Sequence, residues 1–228
     1  MKPIILIPAF QPDQKLINLV HDLIQHELCT ILIVNDGSQA NCQDIFSALS
    51  ALPSVTLLNH EKNQGKGAAL KTGLRYCQQH FSLTDHVVIT VDADGQHALS
   101  DIQQLIQVAK KSPDAFILGV RNFRGVPLRS QFGNLLTKWV FFKLFHTPLQ
   151  DTQTGLRVIP AALIPDFLNM SSNGYEFETQ CLIKAVRSKI DIQQVSIQTI
   201  YIDNNRSSHF RPIRDSLKIY WAFFSHFR

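Results

Sequence analysis

The sequence predicts an α/β domain, a mostly parallel β-sheet flanked by helices. Two observations predict it. Short apolar runs alternate with longer segments of helical spacing over roughly the first half of the chain, which is the pattern of strands joined by helical crossovers. Polar, glycine-containing turns close the second, third and fourth runs, and the carboxyl ends of strands are where open α/β sheets collect ligands. With 228 residues, 45% hydrophobic and 18% charged, the chain suits one large domain or a domain with a tail.

Residues 3–8, in KPIILIP, read as a fully buried strand. Residues 16–28 carry apolar positions at helical spacing, with Asp13 as the cap. A second buried strand, 30–34, stops at Asn35-Asp36-Gly37-Ser38, and 44–52 is a helix. Residues 55–59 form a third strand, and after Asn63-Gln64-Gly65-Lys66-Gly67 the segment 68–80 is a helix. The strand 87–91 follows, then a helix over 99–111 and a strand over 115–120. From Arg121 the pattern changes: 127–146 is a long helix rich in Leu, Phe and Trp. A polar turn, Asp151-Thr152-Gln153-Thr154-Gly155, leads on to a helix over 176–188 and one or two strands within 190–202. The tail, 211–228, is a basic and aromatic helix, so the expected division is a catalytic domain over 1–210 and an amphipathic helix over 211–228.

The formal net charge of +4 suits anionic ligands or an anionic membrane surface and does not point to nucleic acid. Cys29, Cys42, Cys77 and Cys181 have no metal-like spacing, so they are expected to be reduced thiols of a cytoplasmic protein. The N-terminus lacks a signal-peptide pattern. No apolar run reaches the roughly 18–20 residues that span a bilayer.

The stretch VVITVDADGQH, 87–97, carries the strongest chemistry. A sheet interior does not tolerate two unpaired charges, so Asp92 and Asp94 must emerge at the strand's end. Side chains at i and i+2 of an extended segment point the same way, and two converging carboxylates suit a hard divalent cation bridging to a diphosphate. An EF-hand is excluded, because positions 6 and 12 counted from Asp92 are His97 and Gln103. The plain alternative is a turn at Asp94-Gly95. Asp36, at the end of the second strand, can accept hydrogen bonds from ribose or base. The glycines at 65 and 67 let a backbone approach phosphate at a helix N-terminus, where Lys66 adds charge. Neither a P-loop nor a GxGxxG after the first strand is present. Together the three loops describe a nucleotide-diphosphate site.

The order PAF, NDGS, NxGKGAAL, VDADGQH resembles the inverting family 2 glycosyltransferases of the Rossmann-like GT-A fold. DTQTGLR and RSSHFRPIRDSLKIY are similar to the branch that transfers sugars to polyprenyl phosphates, dolichyl or undecaprenyl. The resemblance implies one sugar moved with inversion from a nucleotide-diphosphate sugar (UDP-glucose, UDP-GlcNAc or GDP-mannose), assisted by Mg²⁺ or Mn²⁺. It implies metal contact by Asp92, Asp94 and Gln96, and a nucleotide-sugar site of Pro8, Asp36, Gly65, Lys66, Asp92 and Gln153. Arg121 and Asp151 join Asp92 and Asp94 as catalytic residues, while Arg129, Arg206, Ser208 and His209 meet the acceptor phosphate. Asn35 and His209 depart from the family pattern, which commonly has Asp and Lys there. Two other readings use the same residues: a soluble glycosyltransferase acting on a hydroxyl, with Asp151, Glu176 or Glu178 as base, and a catalytically silent nucleotide-sugar or membrane-binding module.

An ionised acceptor phosphate needs no general base, so stabilising the leaving diphosphate is the demanding step. Leu128, Phe132, Leu135, Leu136, Trp139, Val140, Phe142 and Phe145 form an apolar stripe that Phe141 and Leu144 widen. In the tail, Ile213, Leu217, Tyr220, Trp221 and Phe224 recur among Arg211, Arg214 and Lys218. Aromatic and basic residues together suit peripheral attachment at the cytoplasmic face of a membrane, with a separate membrane partner or a homodimer as further options. Packing of both helices against the sheet is the competing reading.

Overall fold

Neighbouring residues of the first strand bury against opposite faces of the sheet, and this alternation sets the layers. The computed structural model describes residues 1–26, 30–121, 128–200 and Phe223, and of residues 128–134 and 136 the backbone alone. Strand β1 (Lys2–Ala9) sends Ile4 and Leu6 into one core and Ile5 and Ile7 into the other, all fully buried. Both faces are covered, so the strand reads as a continuous apolar run rather than an alternating one. The other strands are β2 (Thr30–Asn35), β3 (Val55–Asn59), β4 (His86–Thr90), β5 (Phe116–Arg121), β6 (Arg157–Ile159) and β7 (Ile192–Ile197).

Helices α1 (Gln14–Gln25) and α2 (Gln43–Ser50) close one face together with the later helix over Leu99–Lys111. The opposite face carries α3 (Lys66–His80), and Leu99–Lys111 is accordingly α4. After α5 (Leu128–Phe145), helices α6 (Ile164–Leu168) and α7 (Glu176–Arg187) pack on the α3 side. Helix α1 begins where its cap directs it: the Asp13 carboxylate accepts from Lys15 N at 2.9 Å. Its buried stripe is Leu16, Leu19, Val20 and Leu23.

The sheet has seven strands in the order β3-β2-β1-β4-β6-β5-β7. β1, β2, β3 and β4 pair in parallel, as do β5 and β7. β6 alone runs the other way, between β4 and β5. The mostly parallel α/β architecture is as the sequence predicts, and β3 and α4 have the predicted bounds. β6 is a correction to the sequence reading, which has only a turn before it. Three residues, Arg157–Ile159, are too few to display a period. Within 190–200 a single strand forms, β7, parallel to β5.

Helix α5 separates two properties that the sequence joins in one stripe. Thr137 and Phe141 are buried, whereas Leu135, Trp139 and Phe142 are 61%, 57% and 47% exposed. The Phe141 ring packs on Phe145 at 4.8 Å and on Phe223 at 6.0 Å between centroids. Phe223 is fully buried and helical. The remainder of the predicted tail helix and the boundary at 210–211 lie outside the described residues. Among the described residues no helix is long and apolar enough to cross a membrane.

Burial raises the thiols of Cys42, Cys77 and Cys181 above their ordinary range, Cys77 to about 12. At pH 8 the Cys77 thiolate is then on the order of one part in 10⁴, and thiolate is the reactive form. Native protein treated with iodoacetamide at pH 8 should leave Cys77 and Cys181 unmodified by peptide mass spectrometry, while unfolded protein is fully alkylated. Rapid labelling of either in the native state contradicts this packing.

Candidate active site

β4 ends in hydrogen bonding at Val91, whose N–H donates to the Leu6 carbonyl at 3.0 Å. Beyond it the chain leaves the sheet. The Asp94 carboxylate accepts from Gln96 N at 3.0 Å, and Gly95 turns with φ +74°. Asp92 and Asp94 thus emerge at the carboxyl edge of the sheet, with Gln96 in the same turn.

Lys66, the first residue of α3, reaches across to them. Its Nζ lies 2.7 Å from Asp92 Oδ1 and 2.8 Å from Glu178 Oε2, and 5.8 Å from the centre of the Tyr175 ring. On its other side Asp92 Oδ2 faces His97 Nε2 at 3.7 Å. Both ring nitrogens of His97 are buried without a hydrogen-bond partner among the described residues. Burial would lower the Lys66 pKa, but Asp92 and Glu178 outweigh it and hold the ammonium charged well above its ordinary range. Burial would likewise raise Asp92, but Lys66, and then His97, hold it ionised far below the usual carboxylate range. Asp94 is raised, first by desolvation and then by the neighbouring Asp92 charge.

The reversed strand β6 delivers the segment 151–155 to this corner. Thr90, in β4, donates its hydroxyl to the Gly155 carbonyl at 2.8 Å. Gly155 packs so closely that a Cβ there would overlap the Asp92 carboxylate, so only glycine fits. The buried Arg157 staples the loop: its guanidinium donates to the carbonyls of Thr154, Glu178 and Thr152 at 2.7, 2.6 and 3.2 Å. Asp151 is fully buried and takes a bidentate pair from Arg121, Nε at 2.7 Å and the terminal nitrogen at 3.1 Å. Gln153 is exposed, and its backbone N–H also donates to Asp151 at 3.0 Å.

At the neighbouring strand ends, Asp36 is 2% exposed and accepts from Gln64 N, Gly65 N and His60 Nδ1 at 2.8, 2.8 and 2.7 Å. The carboxylate therefore shapes the Asn63–Gly67 loop from beneath. His60 Nε2 bonds in turn to the Thr72 hydroxyl. Gly65 has φ +102° and abuts Asn173, whose carbonyl accepts from Ala68 N at 3.0 Å. Pro8 is half-buried near the end of β1, opposite Val34.

Of the predicted residues, the structure brings Asp92, Asp94, Gln96 and Lys66 to one corner and couples Arg121 to Asp151. Asp36 and Gly65 form an adjacent unit. The side chain of Arg129, and Arg206, Ser208 and His209 entirely, lie outside the described residues. Sequence reasoning gave His60, His97 and Arg157 no role and named Glu178 only as a substitute base. Each acts through a tertiary contact; only the position of His97 and Arg157 inside the two quoted motifs hinted at them.

The donor set fits a hard divalent cation. Two carboxylates are what such an ion commonly takes from protein when a diphosphate supplies further oxygens, and no cluster of three His, Cys, Asp or Glu side chains occurs among the described residues. Asp94 forms no ion pair with a described residue, and its raised pKa is what an added cation would reverse.

Residues 4–165 match the family model described as glycosyl transferase family 2. The chain belongs to that family. This family 2 glycosyltransferase is 30% identical over 218 residues to the UDP-N-acetylglucosamine–dolichyl-phosphate N-acetylglucosaminyltransferase of Methanococcus voltae, covering 87% of this chain and 86% of the relative. It is 24% identical to the dolichyl-phosphate β-glucosyltransferase of Saccharomyces cerevisiae, covering 89% and 68%. Among solved structures, glucosyl-3-phosphoglycerate synthase from Mycobacterium tuberculosis, in complex with Mn²⁺, UDP and phosphoglyceric acid, superposes with a TM-score of 0.72 at 16% identity, over 98% of this chain and 78% of that one. The fold is GT-A, as the sequence predicts.

Gly155→Ala should destabilise the protein by about 1–3 kcal/mol through overpacking and reduce sugar transfer more than tenfold by displacing Asp92. Thermal melting and turnover check the two effects; wild-type values for both would contradict the close approach.

Proposed function

We propose that this glycosyltransferase moves a single sugar from a nucleotide-diphosphate sugar to a polyprenyl phosphate with inversion, using Mg²⁺ or Mn²⁺ held by Asp92 and Asp94 with Gln96 beside them. One observation carries the reading: the Asp92–Asp94 pair, Lys66 and the Gly155 loop converge at one sheet edge. The relatives named for dolichyl phosphate support the acceptor. A cation bound there supplies positive charge to the departing nucleotide diphosphate. Lys66 adds a second positive group beside the same carboxylate. Pro8, Asp36 and Gly65 would border the nucleoside, Asp36 by fixing the loop, and Gln153 the sugar. Arg121, locked on Asp151, would face the phosphates. Arg129, Arg206, Ser208 and His209 are proposed for the acceptor phosphate on their sequence positions alone.

The carboxylates named for the hydroxyl-acceptor alternative favour the phosphate acceptor. Asp151 and Glu178 are ion-paired, and one oxygen of Glu176 holds Gly174 N while the other is buried. Two of these three carboxylates are thus held by cations and the third by a backbone N–H, whereas an ionised phosphate attacks without a base. Intact Asp92, Asp94 and Lys66 weigh against a silent binding module.

The exposed face of α5 supports peripheral contact with a membrane. Leu135, Trp139 and Phe142 share it with exposed Lys143, the apolar and cationic mixture of an interfacial helix. The attachment would lie on the face that nucleotide sugars reach, the cytoplasmic one.

Two tests follow. UDP-glucose, UDP-GlcNAc and GDP-mannose should be assayed with undecaprenyl and dolichyl phosphate. One donor should react in a metal-dependent way, and Asp94→Ala should lose at least about 10²-fold in rate with an unchanged circular dichroism spectrum. Near-wild-type transfer by that variant sinks the metal assignment. In liposome flotation, replacing Leu135, Trp139 and Phe142 together by Ser should abolish binding to anionic vesicles; wild-type protein that fails to float rules out surface attachment.

A further inference from the structure

Asp92 already holds an ammonium in this structure. Oδ1 holds the Lys66 ammonium at 2.7 Å, while Oδ2 faces His97 and lies against Gly155. A divalent cation at Asp92 must therefore contend with an ammonium already seated there, and two positive groups on one carboxylate repel. Lys66 also has a second anion. Glu178 Oε2 is 2.8 Å from Nζ, and Glu178 Oε1 is buried with no hydrogen-bond partner among the described residues, so that carboxylate can still accept. Its place is fixed independently of Lys66: the Glu178 carbonyl accepts from Arg157 at 2.6 Å, and the guanidinium Nε lies 3.9 Å from Oε1. Among the described residues Lys66 pairs with Asp92 and Glu178, feels the charge of Asp94, and has the Tyr175 ring at 5.8 Å.

We infer that Lys66 is the resident cation of Asp92, that Mg²⁺ or Mn²⁺ displaces it from Oδ1, and that Glu178 retains the ammonium when it leaves. The inference rests on the assignment of Asp92 and Asp94 as the cation site. It deepens that assignment by naming what the metal exchanges with. The ammonium already touches both carboxylates, so leaving one for the other is a side-chain adjustment within α3 and needs no backbone movement. Held by Glu178, Lys66 stays beside the metal, where it can meet the diphosphate. In the absence of metal it keeps two neighbouring carboxylates of the corner from facing one another unscreened. Lys66 and Glu178 are thereby positioning residues that set metal affinity.

The test reads metal binding and the lysine itself, without turnover. Free Mn²⁺ is measured by electron paramagnetic resonance against the full chain, with Asp94→Ala as the baseline. Lys66→Met should bind Mn²⁺ about tenfold or more tightly than wild type, because the competing charge is gone. Lys66→Gln should move affinity in the same direction, which exposes a packing artefact of either variant. In parallel, the ¹⁵Nζ resonance of Lys66, assigned by its loss in Lys66→Met, is followed during Mg²⁺ titration. It should shift yet persist in wild type, and broaden away on Mg²⁺ addition in Glu178→Gln, where the retaining anion is gone. Mn²⁺ affinity no tighter in Lys66→Met, or a Lys66 resonance unmoved by Mg²⁺, overturns the inference. An affinity that Asp94→Ala leaves unchanged is a different failure: it removes the cation site itself, and the exchange with it.

Discussion

The close approach of Gly155 to Asp92 is the constraint around which this molecule is arranged. A parallel strand between β4 and β5 would carry its following loop to the carboxyl edge. The reversed β6 instead brings its preceding loop there. Segment 151–155 therefore arrives beside Asp92 from the opposite chain direction, and Thr90 and Arg157 fix it by bonds to main-chain oxygens. The absence of a side chain at 155 is what lets the two loops share one corner.

Charge at that corner is balanced in alternation. Asp151 answers Arg121, Glu178 answers Lys66 and lies near Arg157, and Asp92 lies between Lys66 and His97. Asp94 is the exception, a carboxylate raised by desolvation and by its neighbour's charge. Ionic groups this close to a protein interior are tolerable only when paired. Asp94 is thus the carboxylate whose charge the proposed cation would balance.

How much of this was legible in the sequence depends on the distance over which each signal acts. β3 and α4 were legible to the residue, because a buried apolar run and a helical stripe are local patterns. Asp13 as a cap was legible for the same reason. The emergence of Asp92 and Asp94 at the strand's end was legible, whereas the turn that carries Asp94 was not, because the sequence reading took that segment as extended. β6 was not legible, since three residues carry no period and the reversal is a property of the sheet. Glu178 sits in the acidic first turn of α7, where a carboxylate ordinarily reads as helix-dipole compensation. Only the fold shows that it meets Lys66 more than a hundred positions earlier. Asp36 illustrates the converse: its position was legible, while its engagement with Gln64, Gly65 and His60 was not.

Helix α5 carries apolar residues on two sides, one packed on Phe223 and one open to solvent. On the packed side, one turn from Phe141, sits Thr137, whose hydroxyl accepts from the Thr152 hydroxyl at 3.0 Å. This bond between two side chains joins the helix to the loop beside Asp92. Any coupling through such a bond is reciprocal: a turn of α5 would pull on the loop, and an ordered loop would resist that turn. The lipid surface proposed for α5 and the donor proposed for the loop would then report on each other through this pair of threonines.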